Sequence, residues 1–150
     1  MSVGKTGTTD HTPINNHLTS MNKPSFLFLF PGQGAQYASM GSDLHAEHEI
    51  VRHTYEEAVD ALGYDITQLS FTDPDGKINL TRYTQPAILT HSVACLRLFS
   101  KLTDGQLLPA VTAGHSLGEY SALVAAGVLD FTSAVRLVST RGELMGTHGD

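Results

Sequence analysis

The segment Ala113-Gly114-His115-Ser116-Leu117-Gly118-Glu119-Tyr120 contains a G-x-S-x-G pattern, which presents a serine nucleophile when it lies between a strand and a helix. Such an elbow bends the chain so sharply that strand and helix nearly touch, and Gly114 and Gly118 leave room for the approach. At the tip the Ser116 hydroxyl would project from the sheet edge. The Leu117 amide, at the start of the helix, would point toward an acyl oxygen. Nucleophile and oxyanion donor then come from one turn, and the helix dipole favours the negative charge that develops there. An isolated pattern of this kind reads more simply as a tight turn whose serine caps a helix. The flanking elements choose between the two.

A continuous apolar run, Phe26-Leu27-Phe28-Leu29-Phe30, stops at Pro31-Gly32, the pattern of a strand buried on both faces of a parallel sheet. Residues 42–62 place Val51, Tyr55, Val59 and Leu62 at helical spacing, with Gly63 to end the helix. Residues 64–83, which include Asp73-Pro74-Asp75-Gly76, read as a connecting loop. Thr84-Gln85-Pro86 opens a second helix with Ile88, Val93 and Leu96 in its apolar stripe. A second short strand spans residues 108–113, and a third helix, residues 117–126, ends at Gly127. Asp130 or Thr132 caps a fourth helix running to about Leu144. Ser116 therefore falls between a strand and a helix, which favours the nucleophile.

Two buried parallel strands cannot hide both of their faces from water. Residues 25–150 thus read as the amino-terminal part of a larger α/β domain. Residues 1–24, rich in Gly, Thr, Asn, Ser and Pro, read as a flexible leader. They lack both the apolar centre of a secretory signal and the arginines of a transit peptide.

The 150 residues are 41% hydrophobic with a mean hydropathy of -0.07, enough apolar material for a buried core. Nine Lys and Arg against fifteen Asp and Glu leave a net charge of -6, which phosphate backbones would repel, so a nucleic-acid surface is disfavoured. The run at Phe26 is far shorter than the roughly 20 residues of a membrane span. A single cysteine, Cys95, cannot form an internal disulfide, and a cytoplasmic, reducing compartment fits.

Other apparent motifs fail on spacing. Gly4-Lys5-Thr6 lacks the earlier glycine of a phosphate-binding loop. A dinucleotide fingerprint starting at Gly32 and Gly34 would need its third glycine where Tyr37 stands. His48-Glu49-Ile50-Val51-Arg52-His53 is one residue too long for the H-E-x-x-H metal motif.

Phe30-Pro31-Gly32-Gln33-Gly34-Ala35-Gln36 and the Ser116 elbow occur in that order, with Thr84-Gln85-Pro86-Ala87 between them and Arg141-Gly142 after. Together they resemble the malonyl-CoA:acyl carrier protein transacylase family, which includes acyltransferase domains of fatty acid and polyketide synthases. The likeness covers residues 26–146. It implies an α/β-hydrolase-like domain, with a small ferredoxin-like subdomain following the region covered here. Ser116 would take the malonyl group from malonyl-CoA as an ester and pass it to the phosphopantetheine thiol of acyl carrier protein. The amides of Gln33 and Leu117 would form the oxyanion hole. Arg141 would pair with the free carboxylate of malonate, which its planar fork matches bidentately, and Gln85 would sit at the substrate site. No cofactor or metal is implied. Without the likeness, Arg141 reads as a solvated charge near a helix end and Gln85 as part of a helix start.

A serine nucleophile needs a proton acceptor, usually histidine. In the family this histidine comes well downstream, beyond residue 150, so the segment alone is expected to be inactive. His115 adjoins the serine but projects away across the turn, His91 lies within a helix, and His148 follows the elbow. Two other functions use the same residues: a serine hydrolase or thioesterase that delivers the acyl group to water, and a noncatalytic interaction fragment of a synthase that contacts the remaining acyltransferase.

Overall fold

The computed structural model describes residues 26–147. Their elements in chain order are β1 (Phe26–Phe30), α1 (Ser42–Glu47), α2 (Glu49–Leu62), α3 (Ile66–Phe71), α4 (Thr81–Leu102), β2 (Pro109–Gly114), α5 (Gly118–Ala125) and α6 (Phe131–Thr147). The proposed leader, residues 1–24, and His148 lie outside the described residues.

β1 and β2 pair in parallel, with Phe30 opposite Gly114, so both strands end at the same edge. Phe28 meets Phe99 of α4 edge-on at 5.3 Å, and the Thr112 hydroxyl donates to the Ala122 carbonyl of α5 at 3.0 Å. Those helices cover one face. The other carries Leu27, Leu29 and Val111, which are 56%, 70% and 58% exposed. The expectation of a strand buried on both faces therefore fails among the described residues: a two-stranded sheet has helices on one side only, and an unbroken apolar run cannot say which neighbours are at hand.

α4 is the central helix. Its Ile88, Leu89, Val93 and Ala94 are buried against Val51, Tyr55 and Ala58 of α2 and Ala134, Val135 and Val138 of α6. The three helices also meet at Glu57, whose carboxylate accepts from Arg97 at 2.7 Å and from Thr132 at 3.0 Å. Such a shared acceptor fixes their lateral register.

Several boundaries differ from the sequence reading. The single helix expected over residues 42–62 breaks at His48, which is extended (φ -123°, ψ 120°). Arg52 Nη1 donates to the His45 and Ala46 carbonyls at 3.0 and 3.1 Å, supplying the partners that the end of α1 would otherwise lack. The loop expected over residues 64–83 contains α3, whose first turn is capped by Asp65 accepting the Gln68 amide at 2.8 Å. Six residues are too few to show a helical period. α4 begins at Thr81 rather than Thr84, so Pro86 lies inside the helix. Its ring removes only one intrahelical bond, and buried neighbours hold the helix through it. Asp130 caps α6, accepting the Ser133 amide at 2.8 Å. No helix among the described residues is long and apolar enough to cross a membrane.

Candidate active site

The site lies at the edge where β1 and β2 end. Ser116 adopts φ +54°, the left-handed region, which costs a non-glycine residue about 1–3 kcal/mol. The glycines around it explain why the turn is this tight. A Cβ on Gly114 would lie 2.1 Å from the Gly118 carbonyl, and one on Gly118 would lie 2.2 Å from the Phe30 carbonyl oxygen. Helix α5 is thus pressed against the ends of both strands, a contact that only hydrogen at these positions allows.

The Pro31-Gly32-Gln33-Gly34 turn lies against the elbow. A Cβ on Gly32 would stand 2.7 Å from the His115 carbonyl oxygen, so the backbone carrying Gln33 runs directly beside the residue preceding Ser116. Among the described residues, neither the Gln33 amide nor the Leu117 amide donates to a protein acceptor. Leu117 is fully buried, and its amide stands at the amino-terminal end of α5, where the helix dipole is positive.

Arg141 arrives from α6. The adjoining Gly142 is what admits it, since a Cβ there would lie 2.8 Å from Arg82 Cα and from the Thr81 carbonyl oxygen of α4. With the helices this close, Arg141 Nη1 donates to Gln85 Oε1 at 2.7 Å and Nη2 donates to Ser116 Oγ at 3.0 Å. The Tyr120 ring lies 5.8 Å from the guanidinium carbon, within cation–π range. Gln85 is completely buried, and its Nε2 donates to Met145 Sδ at 3.4 Å. It therefore meets the site through Arg141.

Ser116, Arg141, Gln85 and the two turns bearing Gln33 and Leu117 are thus brought together from four separate stretches of chain. An open groove of about 420 Å³ on α6, lined by Leu137, Thr140, Arg141, Leu144 and Met145, shares only Arg141 with this group. No histidine among the described residues hydrogen-bonds Ser116. His91 instead approaches Cys95 Sγ at 3.6 Å, and burial holds its imidazole below the usual histidine range. His45 packs edge-on against Tyr55 and Phe71.

Sequence reasoning did not single out Tyr120 or Met145. Met145 lies one helical turn beyond Arg141, so the i, i+4 spacing could have put both on one face. Tyr120 was within the elbow motif, with no signal that its ring would turn toward Arg141.

A family model described as an acyl transferase domain matches residues 27–148. The chain belongs to the acyl transferase domain family. It is 52% identical over 120 residues to the malonyl CoA-acyl carrier protein transacylase of Escherichia coli K12, an alignment that takes in 80% of this chain and 38% of that protein. Among solved structures it is similar to the acyl carrier protein S-malonyltransferase of Vibrio cholerae O1, with a TM-score of 0.76 at 49% identity over 81% of this chain and 39% of that one. A malonyl-transacylase solved with its type II PKS acyl-carrier protein gives a TM-score of 0.77 at 48% identity, covering 83% and 40%. The family read from the two glycine-flanked turns is the one these comparisons return. An α/β fold with a small parallel sheet is common to them. The chain spans about two fifths of the length of these relatives.

Proposed function

We propose that this segment carries the nucleophile and the carboxylate-binding arginine of an enzyme that moves a malonyl group from malonyl-CoA to the phosphopantetheine thiol of acyl carrier protein. The observation that carries the reading is the 3.0 Å bond between Arg141 and Ser116 Oγ. A guanidinium beside the nucleophile suits an acyl group that ends in a second carboxylate, because malonate is short enough to span the two.

In this reading Ser116 Oγ attacks the thioester carbonyl and its proton passes to a base. The negative oxygen is held by the amides of Gln33 and Leu117, both without a protein acceptor among the described residues. Loss of one such donor typically costs about 3–4 kcal/mol of barrier. Collapse expels the CoA thiol and leaves malonyl-Ser116. The phosphopantetheine thiol then attacks this ester and restores the serine. Throughout, Arg141 holds the malonyl carboxylate, with Gln85 fixing the direction of the guanidinium.

Arginine cannot serve as the base, since it stays protonated. We assign that role to a histidine outside these 150 residues, and the segment to the amino-terminal part of an α/β-hydrolase-like subdomain whose cleft a small ferredoxin-like subdomain completes. The 150-residue chain alone then has negligible turnover. The relatives' names, which join malonyl-CoA to acyl carrier protein, support the choice of donor and acceptor.

The test is mass spectrometry of Ser116 in the complete acyltransferase after mixing with malonyl-CoA, with and without holo acyl carrier protein. A malonyl adduct on Ser116 that moves to the carrier protein is expected. Release as free malonate at the same rate with and without carrier protein would make the enzyme a hydrolase, and absence of any adduct would overturn the reading.

A further inference from the structure

We infer that Gln36 and Asn79 act as a strut that positions the Gln33 amide. This rests on the functional reading above, and it concerns residues outside the reacting groups.

Gln33 and Gly34 make a turn, but among the described residues no loop or turn backbone hydrogen bond of good geometry involves residues 31–36; next along the loop the Tyr37 carbonyl accepts the Met40 amide at 3.2 Å and the Ser39 amide donates to the Ser70 carbonyl at 3.1 Å. A loop without such bonds has its shape set by side chains. Gln36 Oε1 accepts the Gly34 amide at 2.8 Å, closing a small ring around the peptide that follows Gln33. The same side chain's Nε2 donates to Asn79 Oδ1 at 3.0 Å. On the preceding side, Gly32 is lodged against the His115 carbonyl. The Gln33 amide is thereby fixed from both directions, by a close packing contact before it and a side-chain bond after it. Gln33 Nε2 adds a third tie, donating to Thr81 Oγ1 at 3.2 Å.

The far end of the strut is firmly seated. Asp73 Oδ1 accepts the amides of Lys77 at 2.6 Å and Ile78 at 3.2 Å, and the Thr84 hydroxyl donates to the carbonyls of Ile78 and Leu80. Asn79 stands between these anchored residues, directly before α4. Because α4 also carries Gln85 to Arg141, one helix start orients both the oxyanion turn and the arginine.

A strut of this kind affects the rate without touching substrate. The donor must meet the oxygen of the transition state, and a displacement near 1 Å can cost on the order of 100-fold. In the complete acyltransferase, Gln36→Ala is expected to lower kcat by about 10–100-fold, with the KM for malonyl-CoA and the melting temperature held.

Conservative changes sharpen the test. Gln36→Glu keeps the acceptor for Gly34, and Asn79 can turn its amide to donate, so kcat should stay near wild type. Asn79→Asp keeps the acceptor for Gln36 and should do the same. The double variant Q36E/N79D sets two carboxylates against each other and should lose kcat as Gln36→Ala does. Wild-type kcat in both Q36A and Q36E/N79D would overturn the strut, as would equal losses in all four variants or a rate that falls only with melting temperature. Failure of the wild-type enzyme to acylate Ser116 would instead refute the functional reading.

Discussion

Arg141 Nη2 donates to Ser116 Oγ across 3.0 Å while its Nη1 donates to the buried Gln85 across 2.7 Å. The guanidinium is therefore aimed from behind by an amide and faces the Ser116 hydroxyl in front. Hydrogen bonds to charged groups contribute about 1.5–3 kcal/mol, or roughly 10–100-fold. Arg141→Ala is expected to slow malonyl loading of Ser116 by that factor and acetyl loading far less. Arg141→Lys should restore little, since an ammonium cannot bond Gln85 and a carboxylate in one plane. Rates of acyl-Ser116 formation from the two thioesters decide this, and equal effects on both would refute the carboxylate role.

Gln85 offers a separate test of the same arrangement. Gln85→Leu leaves Arg141 Nη1 without that acceptor, and the KM for malonyl-CoA should rise by about tenfold. Gln85→Glu is expected to be worse, because its carboxylate would pair with the guanidinium and compete with malonate. The comparison of the two KM values checks the prediction. A glutamate variant that loads malonyl as well as wild type would show that Arg141 takes its direction from elsewhere.

The elbow glycines should tolerate no side chain. Gly118→Ala would place a methyl carbon 2.2 Å from the Phe30 carbonyl oxygen. Backbone there has to move, so the cost should reach the upper end of overpacking, about 3 kcal/mol, and lower Tm by roughly 6–12 °C. Gly146→Ala, at a position where a Cβ meets nothing within 4 Å, is the control and should leave Tm within about 2 °C. Thermal melts of the two variants provide the check.

Asp130 supplies a pH signature. Its bonds with Ser133 hold its carboxyl below the ordinary value of 3.8. A depressed carboxyl adds stability above its unfolded value and loses it as pH falls through the folded one. The contribution should thus be intact at neutral pH and fade in acid below about pH 4. Asp130→Asn keeps a capping oxygen but does not ionise, so its Tm should fall less steeply than wild type between pH 5 and 3. Parallel slopes would show that the carboxylate charge has no part in the cap.

Much of this site is legible in the amino-acid sequence. Gly114 and Gly118 around Ser116, and the apolar run ending in Pro31-Gly32, specify two tight turns through local sterics, which depend on a few adjacent residues. The periodic helices followed from the same short-range rules. Local rules could not place the break at His48, because it is stabilised by Arg52 reaching back to the end of α1. Nor could they reveal α3, whose six residues hold their shape by burial of Ile66 and Leu69. The exposed face of β1 was equally hidden, since an apolar run records what a strand can bury and not what lies against it. Local rules also could not bring Arg141 and Gln85 to the site, where only the family resemblance put them, nor Gln36 to Asn79. Their residue types were visible, but a guanidinium 25 residues from the serine becomes its neighbour only when Gly142 lets α6 settle on α4. Turn geometry belongs to the sequence because it is local, whereas the meeting of serine, arginine and amide belongs to the packing of helices, where distance along the chain has no bearing on distance in space.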